Sequence, residues 1–144
     1  MDTDLRIPVL RLWRRVVVPL QGDITDQSAA QLVEDVLREI ARSGAEGLVL
    51  DVTGIWTMDS HLCHVLATLA ASARLMGTPT IVCGMSAAIA ITLQTMGVDF
   101  RSAETALTLE EALERLGVTA RVQSVDEAFG DRQAGEAFVA RKDP

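Results

Sequence analysis

The densest run of reactive side chains in this sequence is Met58-Asp59-Ser60-His61, followed closely by Cys63 and His64. Upstream, Asp51 interrupts the apolar run Leu48-Val49-Leu50-Asp51-Val52. Three chemistries are open to these residues. Ser60 offers a hydroxyl at a helix start, where a kinase can add a charge of about −1.5 to −2. A plainer reading has Asp59 or Ser60 capping that helix through a side-chain oxygen. His61 and His64 stand three apart, so on a helix they share a face and could begin a metal site. Structural zinc needs four ligands and catalytic zinc usually three. Asp59 or Cys63 could supply only one more, and no second cluster exists, so no metal site is expected.

Enzyme readings fare no better. A nucleophilic Cys63 needs a depressed pKa, but its neighbours Leu62, Val65 and Leu66 place it in packing. The G-x-S-x-G elbow is absent around Ser60. Gly84-Met85-Ser86 lies between a strand and a helix without a Walker or G-x-G-x-x-G pattern, so it turns the chain and caps the helix. The expectation is a binding module with no catalytic residues and no cofactor.

The elements that hold these residues follow from periodicity. Val9 to Trp13 and Val16 to Leu20 read as a hairpin with its corner at Arg14-Arg15. Gln27 to Arg42 is helical, with Leu32, Val33, Val36, Leu37 and Ile40 on one face, Asp26 as N-cap and Gly44 as stop. Leu48 to Val52 suits an interior strand covered on both sides. Ser60 to Met76 is the second helix, Thr80 to Cys83 a strand, and Ser86 to Met96 a third helix capped by Ser86. A short strand is expected at Val98 to Arg101. A fourth helix runs from Thr108 to Leu116, opened by the capping box Thr108/Glu111. Strands alternating with helices imply parallel pairing. The fold class is therefore α/β, with a mixed, mostly parallel sheet, an N-terminal β-hairpin and about four helices. After Gly117 the periodicity fades; residues 1–117 form the domain, and 118–144 are expected to be a mobile tail.

In such a sheet the loops after the strands' carboxyl ends carry function. Met58 and Met85 sit in loops on that side and are expected to contact a partner, with Met76 and Met96 in the core. Trp56 is either a packing plug or an interface anchor. His61 is expected to be exposed beside the docking face and His64 partly buried. Asp59 and Ser86 complete that face.

Composition limits the partners. The 144 residues are 49% hydrophobic and 23% charged, enough for one core. Twenty acidic against 13 basic residues give a net charge of −7, which disfavours nucleic acid. Cys63 and Cys83 lie in apolar surroundings, which fits two reduced thiols in a cytoplasmic protein. The charged start lacks a signal-peptide core, and no apolar run is long enough to span a membrane.

The element order, the strand end Leu50-Asp51-Val52-Thr53 and the motif Met58-Asp59-Ser60 resemble the STAS domain family of anti-sigma-factor antagonists, over about Ile7 to Leu116. The closer resemblance is to the RsbS-like stressosome branch. It is carried by Ile7-Pro8-Val9-Leu10, Arg74-Leu75-Met76-Gly77, Ala87-Ala88-Ile89-Ala90-Ile91-Thr92-Leu93 and Glu104-Thr105-Ala106-Leu107. The resemblance implies a STAS fold and a scaffold that co-assembles with RsbR-type paralogues. It implies that the scaffold holds an RsbT-type serine/threonine kinase and releases it when Ser60 is phosphorylated. An RsbX-type phosphatase would reset the system. The alternative it implies is a sporulation-type anti-anti-sigma factor that binds an anti-sigma kinase. The polar start of the second helix, at His61, Cys63 and His64, and the length after Gly117 depart from the branch's pattern.

Overall fold

The computed structural model describes residues 6–123 and 137–142. The chain opens with a hairpin of β1 (Leu10–Leu12) and β2 (Arg15–Gln21), antiparallel, with Leu12 opposite Arg15. The corner is therefore Trp13-Arg14, one residue earlier than expected. Both corner residues have positive φ, 45° and 66°, as a two-residue hairpin turn of matching twist requires. Arg15 is instead drawn into the strand. Its guanidinium is only 3% exposed and donates to Trp13 O at 2.6 Å and to Leu116 O, the Nε bond measuring 3.0 Å. Glu46 lies 3.7 Å away.

Helix α1 (Asp26–Ser43) follows, then β3 (Gly47–Gly54), α2 (Ser60–Leu75), β4 (Thr80–Cys83), α3 (Ala87–Met96), β5 (Ala103–Ala106) and α4 (Leu109–Arg115). The sheet order is β1-β2-β3-β4-β5, parallel throughout after the hairpin. Side chains alternate across a strand, and this splits the core in two. Val16, Val18 and Leu20 of β2 and Leu48, Leu50 and Val52 of β3 face α1, α2 and α3. Val17, Val49, Ile81 and Cys83 face α4. Each fully buried aliphatic side chain contributes about 1.5–3 kcal/mol. α4 presses so closely that a Cβ on Gly47 would come within 2.7 Å of Leu116 Cδ1.

Two expected details are corrected. The N-cap of α1 is Thr25, whose hydroxyl accepts from Ser28 N at 3.0 Å; Asp26 begins the helix and turns its carboxylate toward His61. The strand expected at 98–101 forms instead at Ala103–Ala106. Asp99 Oδ1 accepts from Arg101 N at 2.8 Å, and this local turn keeps the chain bent until residue 103. The capping box of α4 forms, with Glu111 N donating to Thr108 Oγ1 at 3.1 Å and Leu107 N, rather than Thr108 N, donating to Glu111 Oε1 at 2.9 Å. Beyond α4 the backbone forms β6 (Val118–Gln123) and β7 (Ala137–Lys142), an antiparallel pair in a sheet of its own. The fading periodicity did not signal these strands. Residues 124–136 and 143–144 of the segment expected to be mobile lie outside the described residues.

Arg15 links the first strands to the end of α4. Arg15→Met keeps the bulk of the side chain but leaves the partly buried Trp13 and Leu116 carbonyls without its guanidinium donors. The variant is expected to lose about 1–3 kcal/mol of unfolding free energy in urea titration. An unchanged midpoint would refute this role.

Candidate functional site

The parallel strands β2, β3 and β4 end at one edge, and the turns after them meet there. Asp51 lies three residues before the end of β3, opposite Pro19 and Cys83. Its Oδ1 accepts from Thr53 N at 3.0 Å and from Thr53 Oγ1 at 2.6 Å. This holds Thr53 against the next turn, where Gly84 has φ +79°. A Cβ there would stand 1.9 Å from Thr53 Oγ1, so the close approach of the two turns demands glycine. Asp51 thus shapes the end of β3 and the loop that follows it.

The loop then presents Ser60. Asp59 takes an extended conformation, and its Oδ1 accepts from Leu62 N at 2.7 Å. The capping role therefore belongs to Asp59 alone. Ser60 is the first helical residue; it is exposed, and among the described residues no hydrogen bond engages its hydroxyl. The other serine at a helix start behaves differently. Ser86 caps α3, its hydroxyl accepting from Ile89 N at 3.1 Å. One serine is consumed by the fold and the other is left free.

The remaining expected site residues divide. Trp56 is 86% exposed and is no packing plug. His61 is half-exposed, with Nε2 3.6 Å from Asp26 Oδ1, which ties the starts of α1 and α2 together. Met58 is corrected: it is 6% exposed and joins the core, packed beneath the loop with Ile55 and Leu62. Met85 is half-buried against the same core. Met76 and Met96, expected in the core, are partly exposed because they stand at the outgoing ends of α2 and α3, beyond the last buried positions. His64, expected to be partly buried, is exposed. The buried face of α2 runs through Leu62, Cys63, Leu66, Leu69, Ala70 and Ala73. Cys63 lies about 200° around the helix from His61, so the two cannot share a metal. Among the described residues no group of three or more His, Cys, Asp or Glu is placed to hold one, and no helix is long and apolar enough to cross a membrane.

Gln21, Gly22, Asp23, Asp26 and Thr53 also belong to this edge, and sequence reasoning missed them. A groove of about 470 Å³ runs between the two turns, lined by Gln21, Gly22, Asp23, Gly54, Trp56 and Thr57. A signal existed: parallel strands that end level must bring their following turns together.

This sheet order, with an antiparallel first pair, three helices on one face and a free serine opening the helix after the central strand, defines the STAS class of domain. The STAS domain family matches residues 7–112, and the chain belongs to that family. Within it the likeness is to RsbS. A serine-to-glutamate variant of Moorella thermoacetica RsbS is 35% identical, with a TM-score of 0.71, covering 78% of this chain and 95% of that one. A chain from a structure of the stressosome, described as a signal integration and transduction hub, is 36% identical with a TM-score of 0.69, covering 76% and 95%. The RsbT co-antagonist protein RsbRC of Bacillus subtilis (strain 168) is 31% identical over 114 residues, which cover 78% of this chain and 40% of RsbRC. The chain thus spans about two-fifths of that curated relative's length.

Both cysteines are buried. Burial, and then the Asp59 carboxylate, push the Cys63 thiol up. Burial, and then the charge and hydrogen bond of Asp51, push Cys83 up to about 12. Below pH 9.0 both the folded and the unfolded chain keep the Cys83 proton. From there to about 12 the unfolded chain loses it first, so stability falls as pH rises through that window. Cys83→Ala should flatten the decline in unfolding free energy there. A thiol reagent at neutral pH should leave the native protein unmodified and label both cysteines after unfolding. Rapid labelling of the native chain would contradict the assignment.

Proposed function

We propose that this chain is a phosphorylatable STAS scaffold of a stressosome, holding an RsbT-type serine/threonine kinase until Ser60 is phosphorylated. The observation that carries the reading is the division of labour at the two helix starts. Asp59 satisfies the cap of α2, so the Ser60 hydroxyl stays exposed and unengaged, whereas Ser86 is occupied. A hydroxyl needed for capping would cost the helix about 1 kcal/mol when modified; Ser60 carries no such cost.

A phosphate on Ser60 lies beside the first backbone N–H groups of α2, whose partial positive charge accommodates it. Asp59 opposes it. In an interface emptied of water, the desolvation of the dianion, added to its repulsion by Asp59, is a penalty that can reach several kcal/mol. Release of the kinase follows from that penalty. The chemistry belongs to the kinase; this chain is its substrate and is itself no enzyme. RsbR-type paralogues are the assembly partners and an RsbX-type phosphatase the reset, all in the cytoplasm. The identities to RsbS and to the stressosome chain support this reading over a sporulation-type antagonist.

The test is incubation with the RsbT-type kinase of the same organism and ATP, followed by mass mapping. Phosphate is expected on Ser60. Ser60→Ala should keep the kinase bound after ATP is added, and Ser60→Asp should weaken binding by roughly tenfold or more. Phosphate on another residue, or equal binding by the two variants, would overturn the proposal.

A further inference from the structure

The groove beside Trp56 is the feature the switch leaves unexplained. The indole is 86% exposed, an unusual position for so large an apolar surface. It borders a groove of about 470 Å³ whose only charged lining residue is Asp23. The charge around it is one-sided. The sequence contains no Lys or Arg from 16 to 37, from 43 to 73 or from 75 to 100, so the turns after β2, β3 and β4 carry none. This edge carries Asp23 and Asp59 in the turns after β2 and β3, Asp26 at the start of α1 and Asp51 near the end of β3. Among the described residues, none of these four pairs with a Lys or Arg, although Asp26 meets His61. The arginines stand elsewhere. Arg14 and Arg15 meet Glu46, Arg42 meets Glu39, Arg101 meets Asp99, and Arg115 meets Glu104 and Glu111.

We infer that the Trp56 groove receives a Lys or Arg side chain from the docking face of the kinase. This rests on the kinase-binding reading above and names the chemistry of the partner's contact. The cation lies over the indole face, where the ring quadrupole attracts it, and Asp23 supplies the counter-charge in the same groove. Such aromatic and cationic anchors dominate interfaces of this kind. The unpaired carboxylates around the groove draw a basic face toward this edge and speed association. Phosphate on Ser60 adds charge of the same sign, so it does not weaken that long-range attraction. Its effect is at contact range, on dissociation, where the dianion is stripped of water.

Kinase affinity and association rate are measured for the wild type and for Trp56→Leu, Trp56→Phe and Asp23→Asn, all at exposed positions where the fold is checked by circular dichroism. Trp56→Leu keeps an apolar side chain but loses the ring, and binding should weaken roughly threefold or more. Trp56→Phe should recover part of the loss. Raising salt from about 0.05 M to about 0.4 M should slow association several-fold, and Asp23→Asn should reduce that dependence. In a Trp13→Phe background, Trp56 fluorescence should change when the kinase is added. Wild-type binding by Trp56→Leu, no advantage of Phe over Leu, or association indifferent to salt would each overturn the groove assignment. Mass mapping of the wild type separates the two claims. Phosphate on Ser60 together with any of those results removes the groove alone, whereas failure of the kinase to bind or modify the wild type removes both.

Discussion

One carboxylate oxygen organises the functional edge of this domain. Asp51 Oδ1 accepts two hydrogen bonds from Thr53, one from the backbone and one from the hydroxyl. That fixes Thr53 where it bears directly on Gly84, leaving no space for a Cβ. The end of β3 and the turn after β4 are thereby locked to each other. From this point the chain runs through the exposed Trp56 and the buried Met58 to the cap at Asp59, so the direction in which α2 starts is set within a few residues of the lock. A charged group within an interior strand is costly unless it is hydrogen-bonded. Here the cost is offset by the bonds that shape the loop.

The sequence was most informative where periodicity and capping chemistry agree. The face of α1 through Leu32, Val36 and Ile40 is the buried one. Gly44 and Gly97 end their helices in the left-handed conformation, and Ser86 and Thr108 are caps. It was least informative where direction depends on a neighbour distant in the chain. Nothing local tells that Met58 turns inward while Trp56, two residues earlier, turns outward; the space beneath the loop is shaped by Ile55 and Leu62. Asp26 looked like a cap because caps and first-turn acids favour the same residue types. The groove between the turns after β2 and β3 joins residues some thirty positions apart, so no single window of sequence contains it.

If Ser60 is phosphorylated as proposed, the separation of roles between neighbouring residues lets that serine sit at a helix start without weakening the helix. Caps hold helices by presenting a side-chain oxygen to a backbone donor, and modification of that oxygen would remove the bond. With the cap on Asp59, the modification proposed for Ser60 would leave the capping bond of α2 intact. The cysteines follow the same logic. Cys63 lies three residues after Ser60, yet its side chain is fully buried beneath α2, which keeps it out of reach of the chemistry at the surface.

The buried guanidinium of Arg15 has a consequence for synthesis. Its acceptor at Leu116 is 101 positions further along the chain. A nascent polypeptide that already contains β1, β2 and β3 still holds a cation at the sheet's inner edge with no carbonyl from α4 to receive it. Contacts of such long sequence separation form late, because the intervening loop must close first. This contact therefore closes only once α4 has left the ribosome.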